Sequence, residues 1–180
     1  MRNFLLTALV LVSAQIVAGQ DSEQLQYKLL ATTKTSTMQK EIDQMAAQGY
    51  RIIVGAPTSG SEMVLLLSRD GTVAEPYQYK LLATTRTGTM QKELNDAAET
   101  GFRVIPSTMI PKKGFLSTEI VVIMERPPKP NRRYNYRLLA TSRTGTMQKE
   151  ITDAKDSGYR IVGMVSRDEH MVVMEREIVQ

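Results

Sequence analysis

Tyr79-Lys80-Leu81-Leu82-Ala83-Thr84-Thr85-Arg86-Thr87-Gly88-Thr89-Met90-Gln91-Lys92-Glu93 is the middle of three near-copies of one block in a chain of 180 residues. The other copies start at Tyr27 and Tyr136, so the block recurs after 52 and then 57 residues. Self-similarity at such a period marks one supersecondary unit used repeatedly, and the fold has to be read unit by unit.

The periodicity changes halfway through the block. Tyr77, Tyr79, Leu81 and Ala83 alternate with Gln78, Lys80 and Leu82, which predicts a half-buried strand. Tyr134, Tyr136, Leu138 and Ala140 repeat the pattern, as do Leu25, Tyr27, Leu29 and Ala31. A polar hinge follows, Thr33 to Thr37 in the first copy, Thr85 to Thr89 in the second and Ser142 to Thr146 in the third. Beyond it Met38, Ile42, Met45 and Ala46 fall on one face of a 3.6-residue period. Met90, Leu94, Ala97 and Ala98 match them, and so do Met147, Ile151 and Ala154, with Lys155 in place of the last alanine. Gly49, Gly101 and Gly158 each precede an aromatic residue, the signature of a helix stop.

Two strands should complete each unit, led by Arg51-Ile52-Ile53-Val54, Arg103-Val104-Ile105 and Arg160-Ile161-Val162. The last ones, Met63–Leu67, Ile120–Met124 and Met171–Met174, are apolar at successive positions and therefore need cover on both faces. A unit of about 45 residues without disulfides is marginal alone, so the units should share a core. The expected class is α+β: three tandem β-α-β-β repeats, each a short helix on a three-stranded, mainly antiparallel sheet, packed together. The boundaries are a signal peptide at 1–19, repeats at 20–70, 77–126 and 134–180, a linker at 71–76 and a proline-rich linker at 127–133. Pro106 to Thr118 is expected to be a long loop of the second repeat.

Arg2 followed by the apolar run from Phe4 to Val17 and small residues at Val17-Ala18-Gly19 reads as an export signal. A retained anchor is the alternative. No cysteine follows, so a lipobox is excluded, and the expected location is secreted or periplasmic with no stable membrane span after cleavage. The whole chain lacks cysteine, which removes disulfides, thiolate catalysis and Cys-ligated metals together. Its formal charge of +4 is mild, with cations interleaved among acids; no nucleic-acid partner is expected.

The hinge is the strongest binding candidate. Lys34, Thr35 and Thr37, Arg86, Thr87 and Thr89, and Arg143, Thr144 and Thr146 set a cation and two hydroxyls at each predicted helix start. Unpaired N–H groups there favour a phosphate, sulfate or carboxylate. The competing reading is structural, with the hydroxyls capping the helix and the cation solvated. Glu41, Glu93 and Glu150 are read as first-turn glutamates favoured by the helix dipole, and no repeated acid pair accompanies them. His170 is the sole histidine, too few for a zinc site. The tyrosine pairs Tyr77/Tyr79 and Tyr134/Tyr136 are read as core residues, with sugar or base stacking as the alternative. No catalytic residue, cofactor or metal is assigned.

With Tyr77-Gln78-Tyr79-Lys80 and Gly101-Phe102-Arg103-Val104-Ile105, the unit resembles a bacterial domain family of unknown function. That family is a short β-α-β-β module opening with Tyr-x-Tyr-Lys and carrying Gly-Trp-Glu-Leu-Val after its helix. Here Tyr or Phe replaces the tryptophan and Arg the glutamate. The resemblance implies the fold and a bacterial origin, and brings no activity or catalytic residues.

The functional expectation is a non-enzymatic exported module that binds an acidic ligand, a glycan or another protein. A structural or assembly protein acting through sheet edges is the alternative, and a glycan hydrolase using Glu41, Glu93 or Glu150 a lesser one.

Overall fold

The computed structural model describes residues 25–71, 75–114, 117–166 and 169–178. The expected export signal, the middle of the first linker and residues 167–168 lie outside these residues. The described chain is α+β, with three helices and three antiparallel sheets in roughly repeated units. The first unit comprises β1 (Gln26–Thr32), α1 (Thr35–Ala47), β2 (Arg51–Pro57) and β3 (Met63–Arg69). In the second, β4 (Gln78–Thr84), α2 (Thr87–Glu99) and β5 (Arg103–Val104) precede β6 (Ile110–Lys113) and β7 (Thr118–Arg126). The third is β8 (Arg133–Thr141), α3 (Thr144–Asp156), β9 (Arg160–Ser166) and β10 (His170–Ile178).

In every sheet the strand made last lies in the middle. The orders are β1-β3-β2, β4-β7-β5 and β8-β10-β9, with β6 also paired to β7. This placement explains the unbroken apolar runs. Ile120 to Met124 and Met171 to Met174 are wholly buried, because the middle strand of a sheet covered on both faces exposes neither set of alternating side chains.

The covers are helices from two different units. Met38, Ile42 and Ala46 of α1 pack on Leu30, Leu65 and Leu67 of their own sheet, and the same cluster reaches Tyr79, Val121 and Ile123 of the next sheet. The second helix does likewise: Met90, Leu94, Ala97 and Ala98 join Leu82 and Val122 on one side to Tyr134, Tyr136 and Val173 on the other. Met147 and Ala154 of α3 pack against Leu139, Val172 and Met174 of the third sheet. The layers therefore run sheet, helix, sheet, helix, sheet, helix.

Helix ends follow local chemistry. Gly49, Gly101 and Gly158 have φ of 85°, 89° and 83°, a conformation that costs glycine little and other residues much. The N–H of the aromatic residue after each glycine reaches back to Met45, Ala97 or Ala154. At the other end the helices begin earlier than the sequence suggests. Thr35-Ser36-Thr37 and its counterparts form the first turn, so Glu41, Glu93 and Glu150 lie in the second turn and no acid occupies the first.

The second unit departs from the expected loop. β2 and β9 carry a register shift at Ile53 and Val162, and the corresponding residue of the second unit is Ile105. There the chain leaves the sheet for a single 3-10 turn, Pro106–Thr108, before returning as β6. The fully buried Thr108 stitches the gap: its hydroxyl donates to the Ile105 carbonyl at 2.8 Å and accepts from Ile123 N–H at 3.2 Å. The excursion fits between the outer strands β2 and β9 because glycine faces it on each side. A Cβ on Gly55 would lie 2.7 Å from Ile110 Cδ1 and 2.9 Å from Leu65, and one on Gly163 would strike the Met109 side chain.

Overpacking such a site costs about 1–3 kcal/mol, whereas Gly145, in a helix with open space around it, gains about 0.5–1 kcal/mol from an alanine. Gly55→Ala should therefore lower the urea midpoint and Gly145→Ala raise it. Equal shifts for the two variants would contradict the wedge described here.

Candidate functional site

The three hinges are built alike. Lys34, Arg86 and Arg143 are extended N-cap residues, with φ near −105°, −108° and −103°. Their carbonyls accept from Met38, Met90 and Met147 N–H at 3.0, 3.1 and 3.0 Å. Their own N–H groups are taken by the last threonine of the preceding strand, Thr32, Thr84 or Thr141. The N-cap side chains make no cap hydrogen bond, because a lysine or arginine rather than a hinge threonine occupies each N-cap. The three cations are exposed, and among the described residues none enters an ion pair. Thr35 and Thr37 are half-buried, as is Thr87, while Thr89, Thr144 and Thr146 are exposed. Each triad is thus assembled locally, at its own helix, in its own layer. Thr35 and Ser36 also border a shallow cleft with Lys80 and Glu93.

The more elaborate polar chemistry lies between units, at residues to which the sequence alone assigns no binding role. Gln39 of α1 spans two backbone groups of β4: its carbonyl oxygen accepts from Leu81 N–H at 2.7 Å and its amide donates to the Tyr79 carbonyl at 3.1 Å. Gln91 of α2 does the same to β8, with Leu138 N–H at 2.7 Å and the Tyr136 carbonyl at 2.8 Å. These groups point away from the sheet along an edge strand, where they would otherwise remain an open template for pairing. Asn95 adds a second amide clamp, accepting from Tyr136 N–H at 2.8 Å and donating to its carbonyl at 3.1 Å.

An arginine from one unit then reaches a glutamate of the next. Arg51 meets both oxygens of Glu125 at 3.1 and 3.2 Å and lies over the Tyr77 ring at 3.9 Å. Arg103 binds Glu175 through two nitrogens, at 2.6 and 3.1 Å, and lies over Tyr134. Glu175 is fully buried. It also receives Arg160 from its own unit and the Tyr136 hydroxyl, and that hydroxyl accepts Val104 N–H at 2.9 Å. Removing a buried carboxylate from water is tolerable only with such complete pairing. The first junction is less complete: the buried Tyr79 hydroxyl, near Ile52 and Glu125, lies outside hydrogen-bond geometry. All four tyrosines are therefore junction residues, in keeping with a packing role rather than an open stacking platform.

Among the described residues no helix precedes the first sheet. Its outer face shows Leu25 at 47%, Tyr27 at 61% and Leu29 at 63% exposure, with Val54 also exposed and Val64 and Leu66 half-buried. This corrects the expectation that the first strand is half-buried like its counterparts. Among the described residues no group of three or more His, Cys, Asp or Glu is placed to hold a metal, and no helix is long and apolar enough to cross a membrane. His170 opens β10, with its ring 3.0 Å from the Ser166 hydroxyl.

The repeated arginines were visible in the sequence as the residue after each Gly-aromatic stop, but a strand start explained them equally well. Comparison with family models, curated proteins and solved structures finds no match to this chain.

Burial, with a smaller contribution from Glu175, holds the Tyr136 hydroxyl well above the usual tyrosine range, despite Val104 N–H and Arg103 favouring the anion. Stability from this group is complete below about pH 10, the ordinary tyrosine value. Above it the unfolded chain releases a proton that the folded chain keeps, so stability falls as pH rises. Urea midpoints measured between pH 9 and 11 should drop more steeply for the native chain than for Tyr136→Phe. Parallel curves would remove Tyr136 from the alkaline transition.

Proposed function

We propose that this chain is a non-enzymatic interaction module, built from three tandem copies of one β-α-β-β unit and acting outside the cytoplasm. The observation carrying this reading is the outer face of the first sheet. Isolated exposed apolar residues are ordinary, but a contiguous patch on a sheet built for two covers marks a surface that meets something else. Leu25, Tyr27, Leu29 and Val54 form such a patch, and the counterparts of the first three in the other sheets are covered by a neighbour. Cross-linking tests it: a benzophenone amino acid in place of Leu29 should capture protein in the producing cells, whereas one in place of the exposed Gln44 on α1 should not. Equal yields from the two positions would sink the reading.

The hinges support a second role, the binding of an anion such as phosphate, sulfate or an acidic glycan. What favours it is an exposed cation at each of three N-caps whose side chain makes no cap bond. Inorganic phosphate, sulfate or a sulfated glycan should raise the melting temperature of the native chain more than that of the Arg86→Ala, Arg143→Ala double variant. No response in either protein would eliminate the anion role.

A further inference from the structure

Among the described residues the stack runs from a sheet with one exposed face to a helix packed on a single sheet. Within the chain this pair of surfaces meets twice, α1 on the second sheet and α2 on the third. The residues forming those contacts persist at the free ends. Tyr27, Leu29 and Ala31 correspond to Tyr79, Leu81 and Ala83, which pack beside α1, and to Tyr136, Leu138 and Ala140, which pack beside α2. By the same register, Tyr27 C=O and Leu29 N–H lie on the outer edge of β1, where the clamped groups lie in β4 and β8. On the helix side Gln148 matches Gln39 and Gln91. It is exposed, whereas the other two are half-buried, and among the described residues its side-chain amide has no hydrogen-bond partner.

From this we infer that the outer face of the first sheet takes α3 of a second copy of this chain, with Gln148 clamping Tyr27 and Leu29 as Gln39 and Gln91 clamp their strands. The inference rests on the reading of that face as an interaction surface and names its occupant. Such a contact joins two different surfaces, so it leaves one of each free after every addition and yields open chains or rings rather than a closed two-fold dimer.

The junction between copies is weaker than those inside the chain. Arg160 already binds Glu175 of its own unit, and the next copy offers Leu25 and Ser68 where Tyr and Glu stand in the inner junctions. Lys155 replaces the buried Ala46 and Ala98, and Thr152 replaces Asn95. The ion pair, the ring contact and the second amide clamp are therefore lost, while the apolar strip and the glutamine remain. Assembly should be reversible and concentration-dependent.

Sedimentation velocity of the purified chain over a wide concentration range reads this directly, with folding of each variant checked by circular dichroism. The native chain should pass from monomer to species beyond dimer. Leu29→Glu blocks the sheet surface and the Gln148→Glu, Thr152→Glu pair blocks the helix surface, both at exposed positions. Each variant alone should remain monomeric, yet an equimolar mixture should form a dimer that grows no further, because one partner keeps a working helix and the other a working sheet. A native monomer throughout overturns the inference. So does a helix variant that dimerises by itself while the sheet variant does not, although that result leaves the first sheet standing as an interaction face. If cross-linking at position 29 captures only foreign protein while the chain stays monomeric, the interaction reading survives and the head-to-tail assembly does not.

Discussion

A middle strand that is apolar on both faces needs two covers, and each unit of this chain brings one helix. Everything else follows from that mismatch. The second cover comes from the preceding unit, so α1 and α2 are each wetted by hydrocarbon on two sides and the sheets are held apart by single helices. Folding thereby replaces three marginal cores with two shared ones and a terminal one, a nearest-neighbour arrangement of the kind that stabilises repeat proteins. The polar clamps act within this frame. Gln39 and Gln91 close an edge that the incoming helix shields from water, where an unpaired backbone group would cost about 1–3 kcal/mol.

The two inner junctions show how one plan tolerates different completeness. Around Glu175 two arginines and a tyrosine hydroxyl surround a fully buried carboxylate. Around Glu125 a single arginine suffices because the group stays partly in water. A partly exposed pair contributes little and is screened by salt, whereas a buried one fixes register because any misplacement strands a charge. The second junction is therefore the more selective of the two, and the first relies more on the packing of Tyr79 against α1.

Strands, helices and glycine stops were legible in the sequence because each is written by local periodicity and backbone preference. The middle position of the last strand was not, since Ile120 to Met124 would read the same wherever two covers existed. The excursion at Pro106 to Lys113 was missed because proline and lysine suggest a loop, while its order depends on Thr108 and on glycines more than fifty residues away. Of the site, the hinge triads were found as clusters, but it is their cations and not their hydroxyls that occupy the N-cap positions. The glutamine of Gln-Lys-Glu was overlooked beside its charged neighbours. Differences among copies carried more than their sameness: Leu25 and Ser68 stand where, among the described residues, no arginine arrives, so the unlike residues of the first copy mark its place in the stack.

The last-made strand in the middle of each sheet also sets a clock on folding. β1 and β2 are not neighbours, and neither has a paired edge until β3 enters between them. A chain delivered from its N-terminus, by a ribosome or through an export channel, holds two unpaired strands for as long as the third is still inside. Each unit thus closes in one late step rather than growing strand by strand, and a pause just before Met63, Thr118 or His170 is when this protein is most open to pairing with the wrong neighbour.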